Sequence, residues 1–373
     1  PRMMSGVTLT ELRTPAVLVE RPRAINNIRR MQQLAKDAGM ALRPHAKTHK
    51  SPELARWQLE AGAIGICCAK LGEAEVFAEA GLTDIRLPYP LQPSNADRVL
   101  ALQAKARISF IVDSLDVARG WSEAMTAAGT SVEVLTKIDV GFHRCGIAPD
   151  PVLAVPFLKA VAALPGLRLS GILSHAGHAY HAHSEDELRM MAKAEVATMA
   201  ALAHEARAAG LGIDEVSAGT TPNARHAMPA GRDTYTEFRP GNYVYFDRTM
   251  VGLGAASWDD CAMSVLATVV STHAADRVVL ATASYRFYVE EIARLLAIED
   301  VIATRCIMAT AETFLPQIAG LNCYGDAKLQ MVKAWLAAAG LERAKCHIRF
   351  YSDHVSDAPC LTWADEAFAT NPH

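Results

Sequence analysis

From residue 40 to about 240 the chain alternates short apolar runs with longer amphipathic stretches, the pattern of successive strand–helix units around a parallel sheet. Apolar runs near 41–45, 64–67, 84–88, 108–113, 133–138, 169–174, 214–217 and 235–239 predict eight strands. Between them, stretches such as 51–61, 72–80, 96–104, 114–127, 151–163 and 184–209 read as helices, several opened by Ser or Pro and closed by Gly. Eight strands with helical crossovers make a closed (β/α)8 TIM barrel. Two runs stand outside the repeat, 14–20 before it and 261–272 after it, and they are expected to pair in a second, β-rich region. After Arg277 a fresh α/β pattern begins, with a strand at 278–280, a helix over 285–298, a strand at 300–304, a helix over 326–340 and a strand at 347–351. The expected division is therefore a barrel with its preceding strand over 1–276 and a partial α/β, Rossmann-like segment over 277–373.

Length agrees with this division: 373 residues accommodate one barrel of about 250 residues and a remainder of about 100. Apolar residues make up 51% and charged residues 21%, which suits a sizeable core and excludes a disordered chain. A net charge of -3 offers no basic footprint, so nucleic acid and acidic membranes are not expected partners. No apolar run reaches the roughly 18 residues of a spanning helix, and the opening Pro1-Arg2-Met3-Met4 does not read as a signal peptide, so a cytoplasmic location is expected. The 8 cysteines lack a repeated spacing and read as reduced thiols.

Candidate chemistry gathers where the predicted strands end. Arg43-Pro44-His45-Ala46-Lys47-Thr48-His49-Lys50 follows the first barrel strand, at the rim where barrel active sites are built. A lysine that serves as a Schiff-base nucleophile must lose its proton near neutral pH, and burial together with the cations His45, His49 and Lys50 pushes Lys47 that way. The same composition also fits a solvated basic loop. Ser217-Ala218-Gly219-Thr220-Thr221-Pro222 and Arg239-Pro240-Gly241-Asn242-Tyr243 follow strands seven and eight, where small residues let backbone N–H groups approach a phosphate. Either alone also fits an ordinary turn. Arg144, after strand five, is a permanent cation suited to a cofactor oxygen. His175, His178 and Tyr180, after strand six, suit acid–base work or ring contacts.

These runs, with Thr14-Pro15-Ala16, Ala69–Glu75, Asp139–Gly146 and Ser174–Tyr180, resemble the D-threonine aldolase and D-serine dehydratase family, whose fold is the alanine racemase-like barrel of fold type III pyridoxal phosphate enzymes. The likeness runs through residues 10–277 in order. It implies a pyridoxal 5'-phosphate lyase acting on D-3-hydroxy amino acids as a homodimer, with the cofactor held as a Schiff base on Lys47. Lys47, His49 and His178 are the candidate catalytic residues. His45, Arg144, His175 and Tyr180 are candidate cofactor contacts, as are Gly219, Thr220, Gly241, Asn242 and Tyr243 around the phosphate. Family members also carry a His-x-Cys or His-x-Asp pair for a divalent metal (Mn, Mg or Zn). This chain has no such pair at the expected late position, its nearest approaches there being Cys346-His347 and His354 to Cys360, so no metal ligand is assigned.

Residues 277–373 instead resemble a haloacid dehalogenase-type, phosphoserine phosphatase-like hydrolase. Val278–Ser284 looks like its second motif, with Thr282 on phosphate. Asn322–Lys328 looks like its third, with Lys328 as the cation, and Tyr351–Asp357 like its fourth, with Asp353 and Asp357 near magnesium. The first motif, an Asp-x-Asp pair, is missing: Tyr245-Phe246-Asp247-Arg248-Thr249 has Tyr where the nucleophilic carboxylate belongs. Two further readings therefore stand beside the lyase. One is a cofactor-binding but catalytically impaired fusion, the other a phosphatase-like hydrolase without its nucleophile.

Overall fold

The computed structural model describes residues 8–267, 277–308 and 314–369. They fall into two compact units, residues 1–266 and 267–373. In the first unit β1 (Ala16–Val19) and α1 (Arg21–Asp37) precede the barrel. Its strands and helices follow as β2 (Ala41–Leu42), α2 (Pro52–Glu60), β3 (Ile66–Cys67), α3 (Leu71–Glu79), β4 (Asp84–Pro90) and α4 (Ala96–Gln103). The circuit continues through β5 (Arg107–Val112), α5 (Leu115–Ala127), β6 (Val132–Lys137), α6 (Pro151–Ala162), β7 (Leu167–Leu173) and α7 (Glu185–Ala208). It ends with β8 (Glu215–Ala218), α8 (Ala224–Ala230), β9 (Glu237–Phe238), α9 (Arg248–Gly252) and β10 (Met263–Leu266).

Helix starts follow local chemistry. Ser51, Asp150, Ser184 and Asp247 each accept a backbone N–H of the first turn of α2, α6, α7 and α9, and Pro52 and Pro151 occupy first-turn positions where no donor is lost. All eight barrel strands are parallel, in the order β2-β9-β8-β7-β6-β5-β4-β3. The edges meet: Ile64 N–H donates to Leu42 O at 2.9 Å, Cys67 N–H donates to Pro44 O at 2.7 Å, and His45 bridges Cys67. The strand before the barrel pairs antiparallel with the one after it, Val17 opposite Val265. Of the predicted run 261–272, residues 268–272 lie outside the described residues.

Much of the barrel interior is ionic. Arg86 on β4 reaches Glu237 on β9 at 2.7 Å and Glu133 on β6 at 3.3 Å, while Arg43 reaches the same Glu237 at 2.6 Å. Neither β9 nor β6 is a neighbour of β4, so these bonds cross the barrel and tie its walls together. Burial alone would raise the Glu237 carboxyl, but Arg86 and Arg43 outweigh it and hold the group down to about 2.

In the second unit β11 (Val279–Tyr285), α10 (Arg286–Leu295) and β12 (Asp300–Thr304) form a parallel strand–helix–strand turn around Val289, Ala293, Val301 and Ala303. A hairpin of β13 (Cys306–Met308) and β14 (Phe314–Ile318) follows, which the sequence pattern does not anticipate. Next come α11 (Asp326–Ala338), β15 (Arg349–Ser352), α12 (Ala358–Trp363) and β16 (Glu366–Ala369), with β15 and β16 parallel. Among the described residues these strands make three separate two-stranded sheets.

Replacing Glu237 by Leu leaves Arg43 and Arg86 buried without their shared carboxylate. A loss of about 3–5 kcal/mol is expected from urea unfolding followed by circular dichroism. Because the folded group sits near 2 against an ordinary 4.5, its contribution is complete above about pH 4.5 and is lost as pH falls toward 2.

Candidate active site

A cavity of about 170 Å³ opens at the C-terminal rim of the barrel strands, lined from five of the loops that follow them. Lys47 enters it from the turn after β2, where the His45 ring accepts the Lys47 backbone N–H at 3.3 Å. Burial lowers the Lys47 ammonium first, and the Arg144 and Arg239 guanidiniums lower it further. The sequence pointed to His45, His49 and Lys50 as the responsible cations, and the structure corrects this. His45 is itself driven far below its ordinary value by burial and by Lys47, so it is neutral. Lys50 is exposed and pairs with Glu73 at 3.1 Å. His49 accepts from Ser51 N–H and lies 3.2 Å from Gln58 Oε1, and burial pushes it down to about 4.

His175 contributes its ring from the turn after β7. Its Nδ1 lies 2.7 Å from Gly219 O, and since a carbonyl only accepts, that nitrogen carries the proton. Burial and the nearby Lys137 hold the ring well below its ordinary value, so it stays neutral. Tyr180 keeps its hydroxyl proton because burial raises it, against a hydrogen bond with Thr221.

The loops after β8 and β9 converge on one point. Gly241 N–H and Asn242 N–H donate to Thr221 Oγ1 at 3.2 and 3.1 Å. Asn242 donates to Asp247 at 2.7 Å while its Oδ1 is buried without a partner. A Cβ on Gly219 would meet Arg239 N at 2.6 Å, and one on Gly241 would crowd His45 and Thr48 at 3.2 Å. Thr220, Thr221 and Asn242 stand over a floor kept clear of side chains at Gly219 and Gly241, a setting suited to a phosphate, which would compete with Thr221 Oγ1 for the two amide N–H groups. A depressed lysine and fixed guanidiniums beside it complete a donor set that fits pyridoxal phosphate. Among the described residues Lys47 pairs with no carboxylate.

Of the residues predicted from sequence, His45, Lys47, Arg144, His175, Tyr180, Gly219, Thr220, Gly241 and Asn242 line this cavity. His49, His178 and Tyr243 do not. Tyr243 is buried and accepts from Gln58 at 2.9 Å, which links it to His49 outside the lining. Thr48, Pro88, Thr221 and Arg239 line the cavity without having been assigned a role. The signal for two of them was present, in the doubled Thr220-Thr221 and in the cation that opens Arg239-Pro240-Gly241-Asn242.

A family model described as alanine racemase, N-terminal domain, matches residues 20–249. D-threo-3-hydroxyaspartate dehydratase of Delftia sp. (strain HT23) is 39% identical over 72% of this chain and 70% of its own length. This chain belongs to the alanine racemase N-terminal domain family. D-threonine aldolase of Arthrobacter sp is 34% identical over 75% of this chain and 74% of its own. The solved dehydratase from Delftia sp. HT23 superposes with a TM-score of 0.67 over 72% of this chain and 70% of that one, at 39% identity.

A second model, haloacid dehalogenase-like hydrolase, matches residues 246–362 and so begins inside the alanine racemase-like unit. Asp247, near its start, is occupied as the cap of α9 and as the acceptor for Asn242. Within the second unit Lys328 Nζ pairs with Asp357 at 2.6 Å, both side chains 8% exposed, and Ser352 Oγ donates to the same carboxylate. Asp353 is exposed, and Thr282 Oγ1 accepts Ser284 N–H. Among the described residues no group of three or more His, Cys, Asp or Glu side chains gathers to hold a metal ion, so no step here passes through one.

Because an added methyl at Gly219 meets backbone rather than a flexible side chain, Gly219→Ala is expected to cost about 1–3 kcal/mol. A lower melting temperature for the cofactor-free protein checks it, with Gly241→Ala, whose neighbours have more room, losing less.

Proposed function

We propose that this chain is a pyridoxal phosphate-dependent lyase acting on D-3-hydroxy amino acids, with Lys47 as the residue that binds the cofactor's aldehyde. The observation that carries the reading is the placement of Lys47, which lines the rim cavity with Arg144, Arg239 and the loops after β8 and β9. Partial desolvation there and the two guanidiniums lower its ammonium although its side chain stays open to solvent. Relatives named as dehydratases and aldolases of D-hydroxy amino acids support the same chemistry. Bound there, pyridoxal phosphate supplies an electron sink for the pair left when a bond to the substrate's α-carbon breaks.

The chain's own residues set up that step. Thr220, Thr221, Gly241 and Asn242 hold the phosphate, and Arg144 and Arg239 supply fixed positive charge to the anionic ligand. His45 and His175 stay neutral, so they orient without adding repulsion. Lys47 would hold the cofactor's aldehyde carbon, its free amine could take a proton from the substrate's α-carbon, and the Tyr180 hydroxyl, in the same cavity lining, could act as a proton source. We place the working protein in the cytoplasm as a homodimer with a small D-amino acid as substrate.

The unmatched part of the relatives, with 70% and 74% of their lengths covered by this chain, favours a second reading, in which the cofactor binds but turnover is impaired. A phosphatase reading has less support, because Asp357 is already spent on Lys328.

The purified protein is expected to take up pyridoxal phosphate with a visible absorbance band that is absent in Lys47→Ala. Incubation with D-threonine, D-serine and D-threo-3-hydroxyaspartate, with and without manganese or zinc, then separates glycine plus aldehyde from 2-oxo acid plus ammonia. Uptake without turnover selects the impaired protein, and no uptake ends the lyase reading. Hydrolysis of an aryl phosphate is expected to stay at the level of the buffer blank.

A further inference from the structure

Two titratable side chains stand behind the cavity wall, buried and outside its lining. Glu195 on α7 is 2% exposed, and its Oε1 accepts the Ser174 hydroxyl at 2.7 Å. The neighbouring Ala176 amide also favours its charged form, against a burial that raises it. Ser174 directly precedes His175, so this carboxyl group anchors the turn that carries the imidazole. From the opposite direction Arg239 donates to Ser174 O. Lys137, the last residue of β6, is 3% exposed and pairs in register with Leu173, next to Ser174. Its Nζ has no hydrogen-bond partner, and neither has Glu195 Oε2. Gly146 closes over the Lys137 side chain so tightly that a Cβ there would sit 3.0 Å from Lys137 Cγ.

A buried carboxyl and a buried amine are each expensive, and a fold that only needed Ser174 anchored could use an uncharged amide. We propose that Glu195 and Lys137 are positioning residues for His175, Glu195 fixing the turn that carries the ring through Ser174, and Lys137 placing a buried, unpartnered amine at the end of the neighbouring strand beside that turn. Lys137 opposes the protonation of His175 directly, with Arg239 and Lys47 acting the same way from their own loops and the Gly219 carbonyl acting against them. Around Lys137 itself stand Arg239 and Arg144 as like charges and Cys145 and Glu195 as opposing groups, and burial with Arg239 brings the amine down to about 7. The pair acts on His175 whatever fills the cavity, while its value to catalysis rests on the cofactor reading above.

Histidine-labelled, cofactor-free protein lets the His175 ring be titrated by NMR. In Lys137→Met the pH at which His175 takes up a proton is expected to rise by about one unit, a tenfold change in its proton affinity. Lys137→Arg, which keeps the charge, is expected to restore the original titration. Methionine replaces an unpartnered buried amine, so Lys137→Met is expected to fold at least as well as the parent. Glu195→Gln keeps an acceptor for Ser174 and is expected to bind pyridoxal phosphate about tenfold more tightly than Glu195→Leu, the size of one lost neutral buried hydrogen bond. An unchanged His175 titration in Lys137→Met, or equal cofactor binding by the two Glu195 variants, overturns the proposal. Absence of cofactor uptake by the parent protein defeats the lyase reading instead and leaves the titration arm intact.

Discussion

The carboxylate of Glu237 is the constraint on which the barrel and its site both depend. It takes Arg43 and Arg86 from two other strands, and it accepts the Ser217 hydroxyl at 2.6 Å. Ser217 in turn accepts Arg239 Nε at 2.7 Å, and Arg239 reaches the cavity. One chain of hydrogen bonds therefore runs from the ionic interior to the ligand site. An interior built from leucine and isoleucine could fill the same volume, but it would fix directions less well, since dispersion contacts have no preferred angle while a guanidinium does. The site inherits its placement from the charges beneath it.

The strand and helix succession was legible because each crossover announces itself by capping residues and by a change from an unbroken apolar run to an amphipathic one. Ser51, Asp150 and Ser184 stand where the sequence suggests helices begin, and they cap α2, α6 and α7. The barrel strands that reach the active rim from β2 and β9 are only two residues long in the ladder, yet Ala41–Leu42 and Glu237–Phe238 lie within the apolar runs near 41–45 and 235–239. Less legible was the electrostatic origin of Lys47's low proton affinity. Sequence neighbours suggested themselves as its cause, but a turn sends neighbouring side chains apart: Lys50 goes outward to Glu73 and His49 to Gln58. The cations that act on Lys47 arrive from the loops after β6 and β9, a proximity that no local pattern encodes.

The second unit shows the reverse case. Its three motifs could be read one by one: Val278–Ser284 falls on β11, Asn322–Lys328 at the start of α11 and Tyr351–Asp357 at the end of β15. What the motifs do not reveal is that Lys328 and Asp357, in the absence of the first motif's carboxylates, satisfy each other at 2.6 Å. Such a buried pair is costly to break, because removing either partner leaves an uncompensated charge inside the unit.

The seam of the barrel, where His45 bridges Cys67 and β2 meets β3 through a few backbone bonds, lies directly beside the turn that carries Lys47. Local opening of a folded chain begins where the fewest hydrogen bonds must break together. On heating, the wall next to the lysine should therefore part before the long ladders of β4 to β7 do. Ligand release would then precede collapse of the barrel, and a bound ligand that spans from Lys47 to the loops after β8 and β9 would brace β2 against the strands on its own side of that join while leaving the join to β3 uncrossed.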